Sequence, residues 1–254
     1  DKEAYAGDET YRDIAVGRFP VRTAKELSIL VEKTIGYESN QATDNLWVSK
    51  LAFLATDDQW ELAEGTHNSV INDFTQNLYY TGTFPQVNEP GGDKLYAVTY
   101  HARTTEVMKA INDGRSFVVY SGHGSTYSWA GPTVSASDVN SIQNTTALPY
   151  VISHACLTGS FGGSSDSFSE VWIKQKYASI GFWGASNSTY WDEDDILQRQ
   201  YFASFFHDDV KTMGWSNAAG LTGLREHYGV TNMIRYYFEV YNLMGDPSVK
   251  IKSL

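Results

Sequence analysis

The stretch Ser116-Phe117-Val118-Val119-Tyr120-Ser121-Gly122-His123-Gly124-Ser125, with its counterpart Pro149-Tyr150-Val151-Ile152-Ser153-His154-Ala155-Cys156, decides the reading of this chain. Each begins as a short run of β-branched and aromatic residues, the pattern of a strand covered on both faces in a mostly parallel sheet. Each then ends in a polar cluster. Strands covered on both faces need helices on both sides, and helix-periodic segments do alternate with strands here. Thr23-Ala24-Lys25-Glu26 is a capping box ahead of Leu27, Leu30, Val31, Thr34 and Ile35, spaced for one inward face. A second capping box, Ser167-Phe168-Ser169-Glu170, precedes Val171 and Trp172, both expected inward. Further helices are marked by Val70, Ile71, Phe74 and Leu78, by Val107, Met108 and Ile111 with a stop at Gly114, and by residues 196–206 and 217–227. Strands are expected at 13–16, 50–55, 95–99, 178–183 and 248–251. From residue 46 onward the pattern is one α/β domain, without an internal repeat.

Composition narrows the function. With 42% hydrophobic and 19% charged residues over 254 positions, the chain has the make-up of a folded protein. Nineteen Lys+Arg against 30 Asp+Glu give a net charge of −11, which works against nucleic acid and anionic membranes and suits a cationic partner. No apolar run reaches the ~20 residues of a membrane span. The start, Asp1-Lys2-Glu3, is neither an initiator Met nor a signal peptide, so a processed or trimmed chain is expected. The single cysteine, Cys156, excludes an intrachain disulfide and any Cys-rich metal site.

In open α/β sheets, chemistry gathers beyond the carboxyl ends of the strands. There lie His123 and Cys156, on consecutive central strands whose spacing of about 4.8 Å brings a thiol and its base within reach. A cysteine attacks as the thiolate, and a protonated His123 donates to a leaving amine. Backbone N–H groups of Gly124 and Cys156 are placed to hold an oxyanion. An inert thiol beside a loop histidine is the plain alternative. His154 is the other candidate base, set back by its position on the same strand as the thiol. His67, His101, His207 and His227 read as structural or surface residues. The phosphate-loop, zinc-protease and Gly-x-Ser-x-Gly motifs are all missing.

Five ordered blocks then carry a resemblance: Asp13-Ile14-Ala15-Val16-Gly17-Arg18-Phe19-Pro20-Val21, Lys33-Thr34-Ile35-Gly36-Tyr37-Glu38, Ser121 to Ser125, Leu148 to Cys156, and Gly245-Asp246-Pro247-Ser248. Together they cover nearly the whole chain, which resembles the catalytic region of the gingipain family of cysteine peptidases. The resemblance implies a caspase-like α/β/α sandwich with a mostly parallel central sheet. It also implies Cys156 as nucleophile with His123 as partner. Residues 1–45 are then the tail of an upstream subdomain plus a linker helix, and 46–254 the peptidase domain. On the loop Asp57-Asp58-Gln59-Trp60-Glu61-Leu62-Ala63-Glu64 the family carries an acid that orients the histidine, here Asp58 with Asp57 in reserve. Arginine-selective relatives place a pocket acid further along, which makes Glu64 a candidate. Tyr190-Trp191-Asp192-Glu193-Asp194 is similar to the pocket of lysine-selective members, with Asp194 at its floor.

The expected function is a secreted or surface-exposed cysteine endopeptidase acting on protein or peptide substrates after Lys or Arg through a thioester. Expected substrate contacts are Asp194, Trp191, Tyr190, Ser121 and Glu64, an aromatic wall with carboxylates that suits a cation. The same acids at Asp192–Asp195 also suit a solvated helix start. No cofactor is expected for catalysis, and the acidic loops offer oxygens of the kind a structural Ca²⁺ takes. An upstream subdomain or pro-segment is the expected partner, and a peptidase kept latent by it is one variant. The alternative is a non-catalytic module binding peptide or glycan on a peptidase scaffold, which accounts for the 7 Trp and 17 Tyr.

Overall fold

Residues 12–39, 46–144 and 146–254 are described by the computed structural model. In chain order the elements are α1 (Ala24–Glu38), β1 (Leu51–Ala55), α2 (Trp60–Val70), β2 (Thr81–Gly82), β3 (Glu89–Pro90), β4 (Asp93–Tyr96), α3 (Thr104–Asp113) and β5 (Phe117–Ser121). A small antiparallel unit follows, β6 (His123–Ser125), β7 (Ser128–Ala130) and β8 (Val134–Ser135), then α4 (Ala136–Asn140), β9 (Tyr150–His154) and α5 (Phe168–Lys174). The chain closes with β10 (Gly181–Ala185), α6 (Trp191–Phe206), α7 (Met213–Tyr228), α8 (Asn232–Val240) and β11 (Tyr241–Met244).

Six strands form one sheet in the order β11-β10-β9-β5-β1-β4, parallel except for β11. Every residue of β1, β5, β9 and β10 is buried, which explains their unbroken apolar runs. Alternation divides each strand between two cores. Phe53, Phe117, Ile152 and Trp183 face Leu197, Tyr201, Phe202 and Leu221 of α6 and α7. Leu54, Val118, Val151 and Phe182 face Leu30 of α1, Ile111 of α3 and Trp172 of α5. The result is an α/β/α sandwich with a mostly parallel sheet.

Several expected elements are displaced. Residues 13–16 form no strand: Ile14 and Val16 are exposed, and only Arg18 reaches the sheet, as a bridge to Met244. Residues 248–251 hold a single bridge between Thr212 and Lys250, and the last strand is β11 instead. The edge strand β4 lies at Asp93–Tyr96 rather than 95–99, and β10 starts later than expected. Helix α1 forms with its capping box intact but is turned about its axis. Its buried residues are Leu30, Lys33 and Tyr37, while Leu27, Val31 and Ile35 stay 42%, 40% and 57% exposed. Polar anchoring decides the rotation. Lys33 Nζ donates to the carbonyls of Ile173 (2.5 Å) and Gln175 (3.1 Å) at the end of α5, and Tyr37 Oη accepts from Lys252 N–H at 2.8 Å. Residues 40–45, where the domain boundary was expected, lie outside the described residues.

Candidate active site

Parallel pairing of β5 with β9 aligns Ser121 with His154, and Gly122 N–H continues the ladder to the His154 carbonyl at 3.1 Å. His123 and Cys156 therefore each lie two residues beyond paired positions, at the same edge of the sheet. β6 then bends away into its hairpin, and Gly124 lies directly on the cysteine loop. A Cβ at Gly124 would stand 2.6 Å from Thr158 Cγ2, 2.8 Å from the Cys156 carbonyl oxygen and 2.9 Å from Ala155 Cβ. Glycine is what permits this approach.

His123 is half exposed, and its Nε2 is 2.7 Å from Asp58 Oδ2. That contact, first among the causes, draws the Asp58 carboxyl below its ordinary range. It also leaves Nδ1 as the ring nitrogen not engaged by the carboxylate. Asp58 reaches the ring because Gln59 adopts a left-handed conformation (φ 46°) and donates its N–H to Asp58 Oδ1 at 2.9 Å. Asp57 turns elsewhere, accepting from Thr56 Oγ1 at 3.3 Å. The Trp191 ring meets the imidazole edge-on, with centroids 5.5 Å apart.

Cys156 is half-buried. Its Sγ accepts the N–H of Thr189 at 3.3 Å and lies 3.7 Å from the Thr189 carbonyl. No hydrogen bond joins Cys156 to His123 in this state. The next residue, Leu157, sits at φ +64°, and its N–H donates to the Asn187 carbonyl at 3.1 Å. Behind the loop, Ser153 Oγ receives Trp129 Nε1–H at 2.8 Å and lies 2.9 Å from Thr158 Oγ1, tying the cysteine loop to β7. α5 braces it from the side through Ser169 N–H to the Thr158 carbonyl at 3.1 Å.

Asp194 is buried one turn into α6, accepting from Tyr241 Oη at 2.6 Å. Loss of solvent raises its carboxyl to about 7, against the pull of the Tyr241, Thr189 and Tyr237 hydroxyls. Tyr190 is fixed by Tyr237, whose hydroxyl accepts the Tyr190 N–H (2.8 Å) and donates to its carbonyl (3.1 Å). His154 is buried, 3.1 Å from Tyr241 Oη, and desolvation lowers it to about 3, which fits a packed ring rather than a base. Ser121 is buried in the ladder. Glu64 is not brought to the cluster. It is buried on α2 and accepts from Thr99 N–H at 3.1 Å and Oγ1 at 2.5 Å, securing the loop after the edge strand β4. Among the described residues no group of three or more His, Cys, Asp or Glu is arranged to hold a metal ion, and no helix is long and apolar enough to cross a membrane.

The profile described as Peptidase family C25 matches residues 3–252. The chain belongs to peptidase family C25. It is similar to Lys-gingipain HG66 of Porphyromonas gingivalis (26% identity over 257 residues, 91% of this chain and 14% of that protein). It is also similar to gingipain R2 of the same species (21% over 262 residues, 98% of this chain and 34% of that one). The crystal structure of the Arg-specific cysteine proteinase gingipain R superposes with a TM-score of 0.80 at 22% identity, covering 98% of this chain and 58% of that one. The chain thus spans less than two thirds of each. In fold this C25 chain is caspase-like, as the resemblance implied. Thr189, Tyr237 and Tyr241 were not legible in the sequence. Nothing in the sequence before them marks a peptide N–H aimed at sulfur or a tyrosine hydroxyl aimed at a carboxylate.

Proposed function

We propose that this C25 chain is a cysteine endopeptidase that cleaves after Lys or Arg. The observation that carries the reading is the alignment of His123 and Cys156 two residues past one register pair, with Asp58 on the imidazole. In the first step the Cys156 thiol proton passes to His123, and Sγ attacks the carbonyl carbon of the scissile bond. The oxyanion faces the N–H groups of Gly124 and Cys156. Collapse breaks the C–N bond as His123 returns the proton to the leaving amine, leaving a thioester. Water, deprotonated by His123, then attacks the thioester and releases the new carboxyl end and the thiol. Asp58 holds the ring in place throughout. Thiol and imidazole draw together as substrate arrives, a tightening common when catalytic hydrogen bonds are loose in the free state.

Selectivity rests on Asp194. A buried carboxylate bonded to hydroxyls, with a neutral His154 at 3.9 Å and no Lys or Arg paired to it among the described residues, gains most from a substrate ammonium or guanidinium. Trp191 and Tyr190 supply aromatic walls.

Cys156→Ala is expected to abolish hydrolysis of a Lys or Arg peptide while the circular dichroism spectrum is kept. Undiminished turnover would overturn the mechanism. A peptide panel varying only the residue before the cut checks the selectivity, and equal cleavage after Lys, Arg, Ala and Asp removes the role of Asp194.

A further inference from the structure

The loop after β10 has two sides. On one, Trp191 stands against His123. On the other, Asn187, Ser188 and Tyr190 join Asn232, Met233 and Tyr236 of α8 around an open cavity of about 390 Å³. This wall is tied to the nucleophile loop. The Asn187 carbonyl takes the N–H of Leu157, next to Cys156, and Tyr236 Oη donates to the Ser188 carbonyl at 2.8 Å. Tyr190 is 48% exposed and in place to be covered.

Chemistry narrows the occupant. The lining has no Asp, Glu, Lys or Arg, although the chain carries 49 such residues, 19 basic and 30 acidic. Two tyrosines and a methionine offer apolar and aromatic contact, and methionine adapts to varied shapes. The amides of Asn187 and Asn232 suit a peptide backbone at the rim.

Sheet order gives the direction. His123 follows β5 and Cys156 follows β9, whereas the cavity lies beyond β10, on the far side of Cys156 from His123. The imidazole must reach the leaving amine, so the leaving segment departs over β5. The acyl segment, which precedes the cut, extends the other way, over β10 and α8. We propose that this cavity is a second side-chain subsite, taking an apolar or aromatic residue of the substrate segment that precedes the basic residue. The inference rests on the peptidase reading above and deepens it.

The experiment uses peptides with one basic residue at the cut, varied singly among Phe, Leu, Asn, Lys and Glu at three positions before it and two after. Each kcat/KM is normalised to that of a single-residue acyl-Lys or acyl-Arg amide, which has nothing to place in the cavity. At one position before the cut, Phe and Leu are expected to exceed Glu and Lys by about tenfold, the scale of an apolar-pocket contact. Met233→Glu should turn that preference toward Lys, and Met233→Ala should weaken it without adding a charge. The subsite is overturned if the amide is cleaved but no position before the cut shows the preference. It is equally overturned if the preference lies after the cut or survives both Met233 variants. If neither amide nor peptides are cleaved, the peptidase reading itself fails and the subsite falls with it.

Discussion

Asp194 and His154 share one hydroxyl, that of Tyr241, and burial moves them in opposite directions, the acid to about 7 and the imidazole to about 3. Between about pH 4 and 6.5 the folded pair keeps its single proton on Asp194, while in the unfolded chain the same single proton is on His154. The pair then contributes no slope to stability in that window. In Asp194→Asn the folded state loses its proton, the unfolded state keeps one, and stability rises with pH by up to about 1.4 kcal/mol per unit. Urea midpoints at pH 4.5 and 6.5, variant against wild type, check this, and parallel changes in the two proteins would refute the exchange. Above this window Asp194 ionises, so KM for a Lys or Arg peptide should fall as pH rises through about 7. Cys156 and His123 stand out in the sequence because strand ends and ordered blocks mark them, whereas Asp58 is suggested there only by the family's loop. Thr189 and the tyrosines do not stand out, because their partners lie far off in the chain, 47 residues away for the Asp194–Tyr241 bond.

At the level of elements, the local signals of capping and continuous burial were read correctly in α1, α5, β5 and β9. They failed where tertiary partners decide. The face of α1 is set by a buried lysine and a tyrosine hydroxyl, not by its apolar stripe. β11 is a strand because β10 offers it an open edge. The β6–β8 unit escaped notice because its polar, glycine-bearing strands lack an apolar period, yet it is the unit that carries His123. Its approach to the cysteine loop depends on Gly124. Gly124→Ala should push β6 away from Ala155 and Thr158, costing about 1–3 kcal/mol of stability as overpacking does. The fall in kcat should be larger than that in a Gly162→Ala control, where an added Cβ meets nothing within 4 Å. Stopped assays with both variants, alongside thermal melts, decide the matter.

For the molecule as a whole, the net charge of −11 works against polyanionic partners. If the acidic surface draws basic substrates inward, kcat/KM for a dibasic peptide should fall several-fold between 20 and 300 mM salt, more steeply than for a peptide with one basic residue. Identical slopes would leave the charge to solubility alone. Leu157 carries another whole-molecule consequence. A branched side chain at φ +64° costs about 1 kcal/mol that glycine would not. Leu157→Gly is therefore expected to raise the melting temperature while loosening the turn that presents Cys156, so that kcat drops. Selection for thermal robustness would then favour a residue that selection for turnover rejects, and a heat-adapted descendant of this chain would have to find its added stability elsewhere than beside its nucleophile.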